Sequence, residues 1–287
     1  MKKTKTLLLT ATLFAMTAMT ACGSTNDPFI LAMGNSDVPV GQYASKILTY
    51  FNLDESALAG KGLISYGTNV KEVATQVSQA SVSCGVVYAT DAKSADLTVV
   101  GTATSEMCGQ VIYPVAVLKE APHKAVAESF LSYLCTSEAM DVFTDIGFSD
   151  ATGGEVTEIT QTTEVTTITV FAAASMTESI NAIKAIYEAK YTNITLQCSF
   201  ESSGTLKTQI QEGADCDIFI SASPKQMNAL DITCDEISNP DRLDFIDHAT
   251  RINLLENKVA LVVPADNPAD LHSFNDLKDR LIEELAK

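Results

Sequence analysis

The sequence predicts an α/β protein. Short apolar or β-branched runs alternate with segments of helical period along almost the whole chain. This alternation occurs twice, in two blocks divided by a Thr- and Glu-rich stretch. Such a pattern lays helices over sheets whose strands run largely parallel. The length of 287 residues, with 46% hydrophobic residues, allows one large domain or two ordinary ones with a sizeable core.

The elements follow in order. Lys2, Lys3 and Lys5 precede the apolar run "LLLTATLFAM", and "MTAC" then places small residues before Cys22. The apolar run is too short for a stable membrane span, so residues 1–21 are expected to be a lipoprotein signal peptide, with lipid attached to Cys22. Residues 22–28 form a tether. In the first block, 29–148, "FILAM", "GLISY", "SCGVVYA", "LTVVGTA" and "VIYPVAVLK" are predicted strands. "VGQYASKILTYF", "NVKEVATQVSQA", "KAVAESFLSYL" and "SEAMDVFTDIG" are predicted helices. Residues 149–166, "SDATGGEVTEITQTTEVT", lack Lys, Arg and apolar periodicity and are expected to be a linker. The second block, 167–287, opens with the strand "TITVFAA" and the helix "MTESINAIKAIYEAK". It continues through "ITLQCSF", "TLKTQIQEG", "CDIFISA", "PKQMNAL" and "KVALVVP" to the helix "SFNDLKDRLIEELAK".

Charge and residue types exclude several function classes. The formal charge is −17, and loss of residues 1–21, which hold three lysines and no acid, takes it to −20. Nucleic acid and anionic membrane surfaces need clustered Lys and Arg, so neither is an expected partner. Besides Cys22 there are Cys84, Cys108, Cys135, Cys198, Cys216 and Cys234, without a CxxC or a Cys/His cluster. His123, His248 and His272 are widely spread. No bound metal cation is therefore expected, and no cofactor. Export permits disulfides among the six cysteines, although they also read as small buried strand residues. There is no GxSxG, phosphate-binding loop or HExxH, so an enzyme is not expected.

Four places share one local pattern, in which a strand ends, small or polar residues follow, and a helix begins. They are "AAAS" before Met176, "ESSG" before Thr205, "DVPVG" before Gln42 and "YGTN" before Val70, and Ser175, Ser202 and Ser203 add hydroxyl donors. First-turn amides lack intrahelical partners and carry partial positive charge, which suits an anion. Hydroxyl and amide donors can hold a small, fully ionised oxyanion without Lys or Arg, and screening over roughly 8 Å weakens distant carboxylates. Ser and Asn before a helix also serve as plain caps. Tyr88, at the end of "CGVVY", could turn its hydroxyl to a cleft or pack half-buried, and the Asp of "ATDAK" reads as a turn cap.

"ITVFAAASMTESINAI", "FESSGTLKTQIQEGADCDIFISAS" and "RINLLENKVALVVP" resemble the opening half of molybdate-binding proteins of ABC importers. "AMGNSDVPVGQYASKIL", "GTNVKEVATQV", "GVVYATDAK" and "VIYPVAVLK" resemble their closing half. The resemblance covers nearly all of 29–148 and 168–287, but the halves stand in reversed order. It therefore implies a circularly permuted, two-lobed periplasmic binding protein of the type II, venus-flytrap fold. A truncated tandem or a misassembled gene would also give that order. One lobe would comprise about 167–257 with 114–150, and the other 258–287 with 28–113. The hinge would lie at "KVALVVP" and Tyr113–Pro114. Carried over residue by residue, the anion contacts fall on Ser175, Ser203, Val40, Val70 and Tyr88. Val40 stands where Ala is common, and Gly204 where Ser is common, which would remove an auxiliary hydroxyl. The implied protein is a monomeric extracytoplasmic lipoprotein that captures molybdate or tungstate and delivers it to a membrane permease. Sulfate or another tetrahedral oxyanion, a cleft enzyme using Tyr88 or Ser175, and a ligand-free surface sensor are the alternatives.

Overall fold

The computed structural model describes residues 28–153 and 163–287. The expected signal peptide, 1–21, and Cys22 lie outside the described residues. The strands are β1 (Leu31–Gly34), β2 (Ile64–Gly67), β3 (Cys84–Tyr88), β4 (Thr98–Thr102), β5 (Val111–Val117) and β6 (Ser149–Asp150). They continue as β7 (Thr166–Ala173), β8 (Ile194–Glu201), β9 (Ile218–Ile220), β10 (Ile252–Asn257) and β11 (Val259–Val263).

They form two sheets. The order of one is β2-β1-β3-β11-β4, and of the other β6-β10-β5-β9-β7-β8. The chain passes from the first sheet to the second between β4 and β5, and returns between β10 and β11. The fold is the expected α/β class with two lobes. The expectation of largely parallel strands needs correction, because both sheets are mixed. β1 runs parallel to β2 and β3, and β7 to β8 and β9. β5, β10 and β11 are antiparallel to their neighbours. The first strand after each crossing, β5 in one sheet and β11 in the other, opposes the strands laid down by β–helix–β units, whereas β4 and β10 run with them.

Strand β10 did not stand out from its sequence. Only Lys258 separates it from β11, and Asn253, Glu256 and Asn257 break up its apolar pattern. The expected linker also loses its ends to strands. Ser149 and Asp150 pair with Glu256 and Leu255, and Thr166 pairs with Ile194. These are backbone pairings, which need no apolar side chain and leave no hydrophobic signal.

The core is continuous between the lobes. An aromatic row of Tyr43, Tyr88, Tyr113 and Phe148 crosses from one sheet to the other, with ring centroids 6.3, 5.6 and 5.3 Å apart. All contacts are edge-on, the arrangement ring quadrupoles favour. A separate apolar cluster around Phe171, Phe219, Leu206 and Ile246 forms beside the second sheet. All six cysteines of the described residues are unpaired; Cys84, Cys108, Cys135 and Cys216 are buried, and their thiols are held above their ordinary range by burial.

Candidate functional site

The five sequence-predicted residues lie at strand-to-helix junctions that face one another across the two lobes. Val40 is in the first turn of the helix Pro39–Tyr50, after β1. Val70 opens the helix Val70–Ser78, after β2. Ser175 lies in the single turn Ala174–Met176 that leads from β7 into the helix Thr177–Lys190. Ser203 opens the helix Ser203–Gln211, after β8. Tyr88 ends β3. The Val70 helix packs against the Ser175 turn. The Ser203 helix meets the loop before the Pro39 helix so closely that a Cβ on Gly204 would stand 2.3 Å from the Asp37 carbonyl oxygen. Gly204 thus marks a close approach of the lobes.

Capping separates these residues. Ser202 is the cap of its helix, accepting from the Thr205 amide at 3.1 Å. Asn69 caps the Val70 helix by accepting from the Glu72 amide at 3.0 Å. The Pro39 helix has no side-chain cap, because Val38 precedes it. Neither Ser175 nor Ser203 caps. Ser203, fully buried, accepts from the Ala222 amide at 3.0 Å. Ser175, 4% exposed, pairs with the Tyr113 hydroxyl at 2.9 Å.

Tyr88 is buried, and its hydroxyl donates to the Ala222 carbonyl at 3.2 Å. Tyr88 belongs to the first sheet, while Ala222 follows β9 of the second. Burial holds the Tyr88 and Tyr113 hydroxyls well above the ordinary phenol range. Both therefore remain protonated donors. Burial also pushes Tyr43 up to about 12, against a hydrogen bond to Ser223 that works the other way.

Four residues of this region escaped the sequence reading. Tyr113 was read only as a hinge residue. Asn257 interrupts an apolar strand, and that interruption was the available signal. Asp91 reads as a turn cap in the sequence, yet it is 1% exposed and both of its carboxylate oxygens are buried. Lys71 Nζ stands 3.2 Å from Asp91 Oδ1 and 2.7 Å from Glu178 Oε2 of the other lobe. Burial raises the Asp91 carboxyl to about 6, with Lys71 opposing the rise. Burial works against the Lys71 charge, but Asp91 and Glu178 outweigh it, and its pKa is raised. Among the described residues no group of three or more His, Cys, Asp or Glu could hold a metal ion.

Two separate stretches of the chain, 24–149 and 168–286, match the family described as bacterial extracellular solute-binding protein. The chain belongs to that family. The family is one of solute-binding proteins rather than enzymes, and the curated relatives are named as binding proteins. YvgL of Bacillus subtilis, named as an ABC transporter substrate-binding lipoprotein, is 35% identical over 42% of this chain and 45% of its own. The molybdate-binding protein ModA of Haemophilus influenzae is 32% identical over 43% of this chain and 47% of its own. ModA of Escherichia coli is 41% identical over 32% of each. The chain spans about half the length, or less, of the curated relatives it matches. A phosphate-binding protein of a Streptococcus pneumoniae ABC transporter shares the fold, with a TM-score of 0.55 and 14% identity over 89% of this chain and 96% of that one.

Proposed function

We propose that the cleft captures molybdate or tungstate for an ABC importer. One observation carries this reading. Ser175 and Ser203 stand one at each end of the Tyr113–Tyr88–Ala222 contacts: Ser175 shares a hydrogen bond with the Tyr113 hydroxyl, and Ser203 accepts from the Ala222 amide and keeps its own proton to donate. Two such hydroxyls, flanked by the first-turn amides at Val40 and Val70, form a donor-rich and uncharged set suited to a small, fully ionised tetrahedral anion. Lys71, the nearby cation, is already matched by Asp91 and Glu178. The likeness to ModA proteins favours a metal oxyanion over sulfate, whose charge and shape are alike. No bond is made or broken: the lobes close over the ion and open at the permease.

Calorimetric titration with sodium molybdate, tungstate, sulfate and phosphate tests this. One-to-one binding of molybdate and tungstate, with sulfate weaker and phosphate absent, is expected. Preference for sulfate or phosphate overturns the assignment. Ser175→Ala and Ser203→Ala should each weaken binding by about 1–3 kcal/mol through a lost charge-assisted hydrogen bond.

The same reading includes a lipid on Cys22, a monomeric state and a circularly permuted order. Two observations support the order. The two family matches are separate, and each curated relative aligns with under half of this chain. The guanidinium of Arg280, in the helix Phe274–Ala286, lies 5.4 Å from the Phe29 ring, so the last helix packs at the start of β1. A chain rebuilt as 167–287 followed by 29–150, with a short glycine-rich join, should fold and bind the same ion. A rebuilt chain that does not fold counts against permutation.

A further inference from the structure

The Ser175 hydroxyl is held by a hydrogen-bonded row whose direction the structure fixes. The Lys258 amide donates to Asn257 Oδ1 at 2.8 Å. A backbone N–H can only donate, so that atom is the amide oxygen, and Nδ2 is the donor end. Asn257 Nδ2 donates to Thr90 Oγ1 at 2.9 Å and to Tyr113 Oη at 3.2 Å. Tyr113 Oη therefore accepts from Asn257, and its single proton must go elsewhere. Its shortest remaining contact is Ser175 Oγ at 2.9 Å, and the neighbouring Tyr88 hydroxyl is already turned to the Ala222 carbonyl. Ser175 accepts that proton, which leaves its own O–H for a ligand. Asn257 is 3% exposed and Tyr113 fully buried, so water does not compete for these positions.

We propose that Tyr113 and Asn257 are positioning residues of the anion site, which orient the Ser175 hydroxyl so that it donates. This rests on the reading of Ser175 as an anion contact, but the direction of the row is a property of the protein alone. The row begins at the β10–β11 crossing, where Asn257 and Lys258 join the two lobes.

A double-mutant cycle with Tyr113→Phe and Ser175→Ala, titrated calorimetrically with sodium molybdate, tests whether Tyr113 acts through Ser175. Phe keeps the ring edges on Tyr88 and Phe148. Loss of one hydrogen bond is expected to cost about tenfold in affinity where Ser175 is intact, and less than about twofold in the Ser175→Ala background. Equal losses in both backgrounds, or none in either, overturn the proposal. A second measurement needs no ligand. In the free protein the Tyr113 hydroxyl proton should give a nuclear Overhauser contact to the Ser175 β-protons, and the signal should vanish in Tyr113→Phe. A hydroxyl proton directed to Asn257 or Tyr88 also overturns the proposal. A wild-type protein that shows this contact but binds no oxyanion would instead refute the function and leave the row standing.

Discussion

Tyr88 and Ser203 lie on opposite sheets and meet on one residue: the Tyr88 hydroxyl donates to the Ala222 carbonyl, and Ser203 accepts from the Ala222 amide. The peptide groups on either side of Ala222 thus tie a strand end of one lobe to a helix start of the other. The tie uses backbone groups that would otherwise be buried without partners. Tyr88→Phe tests its weight. Phe retains the ring contacts with Tyr43 and Tyr113 and leaves the Ala222 carbonyl unpaired. The closed form should lose about 1 kcal/mol. Small-angle scattering should show a larger mean radius of gyration for the free variant than for wild type.

Gly204→Ala separates closure from folding. The added Cβ would stand 2.3 Å from the Asp37 carbonyl oxygen and 2.9 Å from Asp37 Cβ, both in the opposite lobe. The Ser203 helix itself is expected to gain, since Ala exceeds Gly by about 1 kcal/mol in helix propensity. The free protein should therefore melt no lower than wild type. Oxyanion affinity should fall by about tenfold or more, as overpacking of about 1–3 kcal/mol falls on the closed form.

Lys71 and Glu178 should respond unequally although they share an ion pair. Both are partly exposed, so Glu178→Gln removes a screened contact worth under about 1 kcal/mol. Lys71→Met leaves the Asp91 carboxylate buried without its cation. The cost should reach about 2–3 kcal/mol, below the range for fully buried pairs because Lys71 is about one third exposed. Urea unfolding of both variants at pH 7.5 measures the difference.

The sequence showed the four junctions because each places an apolar or β-branched run, small or polar residues and a helical period in one short stretch. It could not separate a capping serine from a ligand-facing one. Ser202 and Ser203 are adjacent and of one type, yet Ser202 caps while Ser203 holds Ala222, nineteen residues further along the chain. The partner of Ser175 is sixty-two residues away in sequence, and its orientation depends on Asn257 in a third segment. Such contacts are set by how β5, β7 and β10 lie in one sheet, and no local pattern encodes them. Asp91 was hidden for a related reason. A first-turn Asp reads as a cap until the packing around it shows that its carboxylate is sealed from water.

That burial gives Asp91 a distinct pH signature. Its carboxyl is raised from 3.8 to about 6, chiefly by loss of hydration. The folded protein therefore holds this proton more tightly than the unfolded chain does. The resulting stability is fully present below about pH 4 and is lost as pH rises through about 6. A rise of this size corresponds to about 3 kcal/mol. Other carboxylates, such as Asp231 and Asp247, are lowered and act in the opposite sense, so the wild-type curve alone conceals the effect. Asp91→Asn isolates it. Asn cannot titrate, and its loss of the Lys71 pairing adds a constant offset, because Lys71 stays charged throughout this range. Urea unfolding of both proteins at pH 4, 5, 6 and 7 should show the variant gaining about 2 kcal/mol on wild type between the lowest and highest pH. Curves that run parallel would mean that the Asp91 carboxylate reaches water in the folded protein.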